Sequence, residues 1–469
     1  MRCLCKTWTA VFPAAWRTLF ASLIATGSFA HAQTVSKPSP AKLTGPARPN
    51  IVFILADGLG YGDLGGYGQQ RSRTPRLDRM AAEGLRFTQC YAGSCVSAPS
   101  RAALMTGLHT GHGWIRGDGE AALRPRDLTV AELLKNAGYK TGAIGLWGLG
   151  PSGTLGTPEQ KGFDQWAGFL DARSARNYFP EFIWRCDAAR GALTKFEFTA
   201  NQGGRRGAYI QDVFSNAAMN FLRQNKPDKF NQFTPFFLYL AFPLPHASPD
   251  PARRATNAVA TTPAASAAPA AEEARIAAAK NRAALITRLD QDVGRVLDKL
   301  GELQLATNTV VFFSSDHGPQ PDGGKRLLHE NRLRVPLLVR WPGQIAAGST
   351  NDRVCALWDF LPTAAELAHQ PVPTGLDGRS LLPTLRGKET AAHPFLYWEF
   401  HEGGFQQALR LDGWKAVRAG ADQPIELFNL ARDPAEETNV AAAHPDVLER
   451  IARLLRDART ESPLWPTKP

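Results

Sequence analysis

Three apolar runs, each leading into a chemically active side chain, constrain this chain more than any other feature. Asn50-Ile51-Val52-Phe53-Ile54-Leu55-Ala56 ends on Asp57 and a Gly-rich turn. Pro235-Phe236-Phe237-Leu238-Tyr239-Leu240-Ala241-Phe242 leads to Pro245-His246, and Thr309-Val310-Val311-Phe312-Phe313 passes through Ser314-Ser315 to Asp316-His317-Gly318. Runs without polar alternation are strands buried on both faces, the pattern of a parallel sheet covered by helices. In such sheets ligands bind at the carboxyl ends of the strands. Asp57 is therefore a candidate metal ligand, and His246 sits where ligands bind.

Helical patterns fill the intervals. Leu77, Met80 and Ala81 fall on one face of a short helix that stops at Gly84, and a second helix is expected from Thr129 to Ala137, followed by a strand over Tyr139–Gly145. Residues 247–271 are Ala, Pro, Thr and Ser with almost no large apolar side chain, which predicts a mobile loop. From Glu272 the period returns, with Ile286, Leu289, Val293, Val296, Leu300 and Leu303 three or four apart, predicting a long amphipathic helix on the sheet. Past residue 385, Phe395–Phe400, Gln407–Arg410 and Trp414–Arg418 read as short antiparallel strands, with a last helix near Pro445 to Arg459.

Between the first two strands lies Ser97-Ala98-Pro99-Ser100-Arg101-Ala102-Ala103-Leu104-Met105-Thr106-Gly107, a small polar loop running into a helix. Proline is accommodated in the first turn of a helix, whose free N–H groups attract anions. Ser97-x-Pro99-Ser100-Arg101 resembles the sulfatase signature, in which a Cys or Ser is oxidised to formylglycine, and Phe87-Thr88-Gln89 and Ala102–Gly107 match its flanks. Further resemblances run through nearly all of the chain past the leader. Ile54–Gly65 is similar to the family's opening, Lys161–Asp164 and Asn177–Pro180 to internal segments, Pro245-His246 to its Pro-His, and Asp316-His317 to the second half of its calcium site. Gly323–Pro336 resembles the segment whose Lys binds sulfate, here Lys325.

The resemblance implies an α/β fold: a large mixed, mostly parallel sheet flanked by helices over residues 49–385, and a smaller C-terminal domain, 386–469, with an antiparallel sheet and a helix. It implies calcium held by Asp57, Asp316 and His317, formylglycine made from Ser97 by a serine-oxidising maturase, and catalytic roles for Ser97, Arg101, His246 and Lys325. Arg101 would stabilise the hydrated aldehyde, while His246 and Lys325 would neutralise charge on the sulfate and leaving group. The substrate class implied is a sulfated small molecule or glycan. Three positions depart from the family pattern. Serine replaces the commoner cysteine at 97; Gly58 replaces a second calcium-binding Asp; Leu146 replaces a sulfate-binding Lys, and losing one such electrostatic group commonly costs ~10²–10³ in rate. Glu330-Asn331-Arg332 stands where the family has Glu-Gly-Gly. These departures make a glycan-binding protein without turnover the alternative. A phosphatase using plain Ser97 is disfavoured, because the chain lacks the additional His and Asp cluster of a two-zinc site.

Arg2, Lys6 and Arg17, an apolar stretch over Thr18–Ala25, and Ala30-His31-Ala32 before Gln33 make residues 1–32 a secretory signal peptide, followed by a flexible lead-in over 33–48. No other stretch has the ~18 apolar residues a membrane span needs. Losing the leader removes three basic residues and lowers the formal net charge from +11 to +8. Basic residues are scattered rather than clustered, which argues against nucleic acid. Cys90, Cys95, Cys186 and Cys355 remain, and an oxidising compartment permits one or two disulfides among them, with Cys95 read as structural. Protein recovered from periplasm or medium should begin at Gln33; amino-terminal sequencing that finds Met1 would contradict export.

Overall fold

The computed structural model describes residues 48–118, 121–186, 191–227, 233–246, 268–319 and 326–467. The leader, the lead-in up to residue 47, most of the Ala/Pro-rich stretch and Lys325 lie outside them. From Arg48 onward the chain packs as one compact unit.

Strand Asn50–Ala56, with all seven residues buried, has Thr309–Ser315 on one side and Phe236–Ala241 on the other, both parallel to it. From edge to edge the large sheet runs Ser349–Asn351, Leu85–Tyr91, Arg334–Arg340, Thr309–Ser315, Asn50–Ala56, Phe236–Ala241, Lys140–Leu146, Gln165–Phe169, Phe182–Cys186 and Thr194–Glu197, with Cys355–Ala356 also paired to Leu85–Tyr91. Arg334–Arg340 pairs antiparallel with both of its neighbours, as does Phe182–Cys186, so the sheet is mixed around a parallel centre.

Both faces are covered, which is why these strands carry no polar alternation. Ile51, Phe53, Phe237, Tyr239 and Phe312 share a cluster with residues of helices Ser97–Thr106, Val130–Asn136 and Phe360–Leu367. Val52, Ile54, Leu238, Leu240 and Phe313 share the other with helices Pro75–Ala82, Ile210–Gln224 and Ala268–Glu302. That last helix begins at Ala268, four residues inside the stretch expected to be a loop, and buries Ile286, Leu289, Val293, Val296 and Leu300. Helix Val130–Asn136 starts where the sequence implied, in a capping box where the Glu132 N–H donates to Thr129 Oγ1 and the Thr129 N–H donates to Glu132 Oε2.

The four cysteines of the described chain are buried thiols, not disulfides. Cys90 and Cys355 face each other in register on neighbouring strands. Burial pushes the Cys95 thiol up to about 12, so it stays protonated as a small apolar filler. Among the described residues no helix is long and apolar enough to cross a membrane.

Strands Leu396–Phe400, Gln406–Leu411, Trp414–Arg418 and Glu426–Asn429 form a second, antiparallel sheet in chain order, and helix Pro445–Asp457 buries Ile451 and Leu455 against it. The fourth strand was not anticipated. This sheet is fastened through Glu399, which is 0% exposed and accepts from Arg116 Nη1 at 2.7 Å, Arg459 Nε at 2.9 Å and Tyr397 Oη at 2.8 Å. Burial opposes its ionisation, but His401, Arg116 and Arg459 outweigh it and hold the carboxyl down to about 2, from an ordinary 4.5. The stabilisation is therefore complete above pH ~4.5 and is lost as pH falls toward ~2. Glu399→Ala, which strands two buried guanidinium groups, should cost about 3–5 kcal/mol in urea unfolding at pH 7. The gap between wild type and variant should close as the pH is lowered through that window.

Candidate active site

Parallel pairing of Asn50–Ala56 with Thr309–Ser315 brings Ala56 opposite Ser315, so Asp57 and Asp316 leave the sheet side by side. The ladder continues one step beyond, with Asp316 N–H donating to Ala56 O at 3.0 Å and Asp57 N–H to Leu244 O at 2.9 Å. Asp57, Asp316 and His317 are all buried, with ligand atoms within 4.8 Å of one another. Arg101, 0% exposed, donates Nε and Nη2 to Asp316 Oδ2 at 3.1 and 2.9 Å. Its Nη2 is also 3.8 Å from Asp57 Oδ2, and its Nη1 donates to Leu146 O at 2.8 Å.

Ser97 is the first residue of helix Ser97–Thr106, one turn before Arg101, so Pro99 falls within the first turn where its missing N–H breaks no intrahelical bond. The Ala98 N–H donates to Asp118 Oδ1 at 2.9 Å. Ser97 Oγ lies 3.2 Å from His317 Nε2, and His317 Nδ1 lies 2.8 Å from Gly318 O. A carbonyl only accepts, so Nδ1 carries the proton, and Nε2 presents a lone pair to the Ser97 hydroxyl and to the carboxylates. Burial lowers the His317 pKa despite Asp316, keeping the imidazole neutral.

The two carboxyls respond differently to one desolvated place. Burial and the charge of Asp316 raise the Asp57 pKa. Burial opposes ionisation of Asp316 too, but the Arg101 guanidinium and the Gly58 N–H, which donates to Asp316 Oδ1 at 3.0 Å, bring it below its ordinary value. Asp57 Oδ1 is buried with no hydrogen-bond partner, 3.9 Å from His317 Nε2, which is itself 3.7 Å from Asp316 Oδ1. An orphaned carboxylate oxygen, a second carboxylate and an imidazole lone pair around one point fit a divalent cation, with two anionic oxygens available for calcium.

Asp57, Ser97 and His317 border a cavity of about 370 Å³, with His246, Asp118, Arg176, Arg332 and Glu402 also on its wall. Two larger depressions, about 460 and 640 Å³, contain none of the residues assigned a catalytic or calcium-binding role, although Gly60–Asp63 border the first and Asn177–Pro180 the second. Leu146 is 1% exposed, in the apolar cluster with Ile144 and Phe169. The structure thus gathers Asp57, Ser97, Arg101, Asp316, His317 and His246, while Lys325 lies outside the described residues. Asp118, Arg176 and Glu402, on loops or a helix end, gave no sequence signal. Arg332 did, as a departure from Glu-Gly-Gly.

A second trio, His109, His112 and Asp377, is equally close-set but differently wired. The Gly111 N–H donates to His109 Nδ1 at 3.2 Å, leaving the proton on Nε2, 3.3 Å from Asp377 Oδ1; His112 Nδ1 is 2.8 Å from the same oxygen. A metal-binding His hands its other N–H to an acceptor. His109 meets a donor there instead, so the trio fastens a loop.

Gly58 has φ +74°, and a Cβ there would lie 3.4 Å from His317 Cε1 and 3.8 Å from His246 Cδ2. A side chain at 58 would thus enter the cluster from a left-handed backbone, at a cost of about 1 kcal/mol. Gly58→Asp should tighten calcium binding about tenfold by calorimetry, since a third carboxylate joins the set, and lower the melting temperature slightly; Asp57→Ala should abolish binding. Equal calcium affinity in Gly58→Asp and wild type would rule this placement out.

The family model for Sulfatase matches residues 49–370, and that for the C-terminal part of N-sulphoglucosamine sulphohydrolase matches 322–461. Human arylsulfatase A is 33% identical over 462 residues, covering 87% of this chain and 87% of that protein. The N-acetylgalactosamine-6-O-sulfatase of Bacteroides thetaiotaomicron is 27% identical, over 88% of this chain and 93% of its own. Among solved structures, Ps i-CgsB in complex with k-i-k-neocarrahexaose superposes with a TM-score of 0.68 at 26% identity, over 90% of this chain and 95% of that one.

Proposed function

The chain belongs to the sulfatase family of sulfuric ester hydrolases, and from that premise we propose that it is an exported enzyme that removes sulfate from sugars, sulfated polysaccharides among them, through formylglycine made from Ser97 and with calcium held by Asp57, Asp316 and His317. The observation that carries this reading is the junction of Ser97 with His317 at 3.2 Å, beside two buried carboxylates of which one oxygen has no partner. Relatives named for sulfated sugars support the substrate class.

Formylglycine at residue 97, once hydrated, would supply one hydroxyl for attack on sulfur and a second for release of the sulfate. Calcium, when bound, supplies positive charge for the sulfate oxygens. The remaining work belongs to the chain's own side chains. Arg101 neutralises Asp316 and approaches Asp57, which keeps two like charges tolerable at one place. His317, neutral and oriented by Gly318 O, accepts the hydrogen bond of the residue-97 hydroxyl and turns it toward the cavity. His246, on the same wall and with its carbonyl held by Tyr178 Oη, is assigned the proton that the departing alcohol takes up.

Co-expression with an anaerobic serine-oxidising maturase should remove two hydrogens from the Ser97 peptide, seen by mass spectrometry, and yield hydrolysis of an aryl sulfate. Ser97→Ala should abolish turnover, and His246→Ala should lower kcat by ~10²–10⁴. A fully converted protein that binds sulfated glycans yet hydrolyses nothing would replace this reading with the non-catalytic alternative.

A further inference from the structure

Arg332 is the one cation on the cavity wall that is both deeply buried and, among the described residues, without a carboxylate in its hydrogen bonds. It is 4% exposed and borders the cavity with Ser97, Asp57, His246 and His317. Its Nη1 donates to Gly318 O at 3.1 Å and its Nη2 to Cys95 O, both carbonyls. Its Nε is buried with no hydrogen-bond partner among the described residues. An unmet donor on a buried charged group is costly, and two carbonyls satisfy N–H groups without cancelling the charge. Burial accordingly pulls the guanidinium below its ordinary pKa, with Asp316, Asp118 and Asp57 acting only as more distant counter-charges.

The position is built rigidly. Gly318 N–H donates to Arg332 O at 2.7 Å, and a Cβ on Gly318 would lie 2.0 Å from Asn331 O and 3.0 Å from Arg332 Cα. Only glycine permits that approach, which ties Arg332 to the turn carrying Asp316 and His317. The short helix Glu330–Leu333 is fixed from behind. Glu330 accepts from Tyr91 Oη at 2.9 Å and Lys415 Nζ at 3.3 Å, and its N–H donates to Glu436 Oε2 at 2.7 Å.

We propose that Arg332 binds the sulfate group of the substrate, taking over at a new place in the fold the positive charge that is missing at Leu146. The assignment rests on the sulfatase reading of the site. Arginine suits the task because its charge does not titrate away and its fork can hold carbonyls while another N–H meets a sulfate oxygen. Leu146, sealed in the apolar cluster, needs no cation when Arg332 supplies one.

The test uses unmodified protein with calcium present, so that it does not depend on maturation, and inorganic sulfate as the probe. Arg332→Gln should weaken sulfate binding about tenfold in calorimetry, with calcium affinity unchanged, and should shrink the sulfate-dependent rise in melting temperature. Arg332→Lys should recover part of the affinity. Arg332→Gly, the residue that the Glu-Gly-Gly pattern carries there, gives a second charge-free variant if Gln does not fold. A lower melting temperature with unchanged sulfate affinity would mark a purely structural arginine and overturn the proposal, as would wild-type protein that binds no sulfate. If the matured enzyme turns over and Arg332→Gln leaves KM unchanged, the proposal fails and the sulfatase reading stands. If the matured enzyme is inert while Arg332→Gln still loses sulfate, the sulfatase reading fails and the anion site stands.

Discussion

Two aspartates forced together at the ends of adjacent parallel strands are the constraint from which the rest of the site follows. Their register places them there before any chemistry is considered, and burial makes the pair unstable unless positive charge arrives. Arg101 answers half of that demand by docking on Asp316. Since Arg101 lies four residues into a helix whose ten residues are all buried, docking it also fixes the start of that helix. Ser97 is thereby set beside His317, one turn away. The position of Ser97 is thus a by-product of charge neutralisation, and the oxygen of Asp57 without a partner among the described residues is the half of the demand left unanswered.

What the sequence made legible follows the same logic. Strands buried on both faces have no polar alternation to hide in, so Asn50–Ala56, Phe236–Ala241 and Thr309–Ser315 stood out, together with the residues at their ends. The helical offset between Ser97 and Arg101 was readable because it lies within one element. Strands Phe182–Cys186 and Thr194–Glu197 were not readable, because at the edge of the sheet they are partly exposed and mix apolar with charged residues. Asp118, Arg176 and Glu402 come to the cavity from segments whose approach depends on tertiary packing, which no local pattern encodes. The disulfides that an oxidising compartment would permit are not formed among Cys90, Cys95, Cys186 and Cys355, whose thiols are buried by packing in a chain large enough to bury its own core.

The two cationic departures illustrate why motif comparison position by position is incomplete. At 146 the comparison registers a loss, and at 332 it registers an oddity; neither observation says that Arg332 stands on the cavity wall beside Ser97 and His317. Only the close approach of Gly318 to Asn331 and Arg332, a contact between residues more than a dozen positions apart, brings Arg332 to the turn that carries Asp316 and His317.

Lys415, 0% exposed on strand Trp414–Arg418, reaches Glu330 and Glu436 and so supports the short helix on which Arg332 stands. The antiparallel sheet is therefore part of the pocket's foundation, although its strands follow the catalytic segments in the chain. A chimaera that took this sheet from a relative would have to import counterparts of Lys415 and Glu436 along with it, or match Glu330 and Tyr91 anew. Otherwise the graft would leave buried charges on both sides of the seam, and the pocket would lose its shape through Lys415 and Glu436, which are not on its wall.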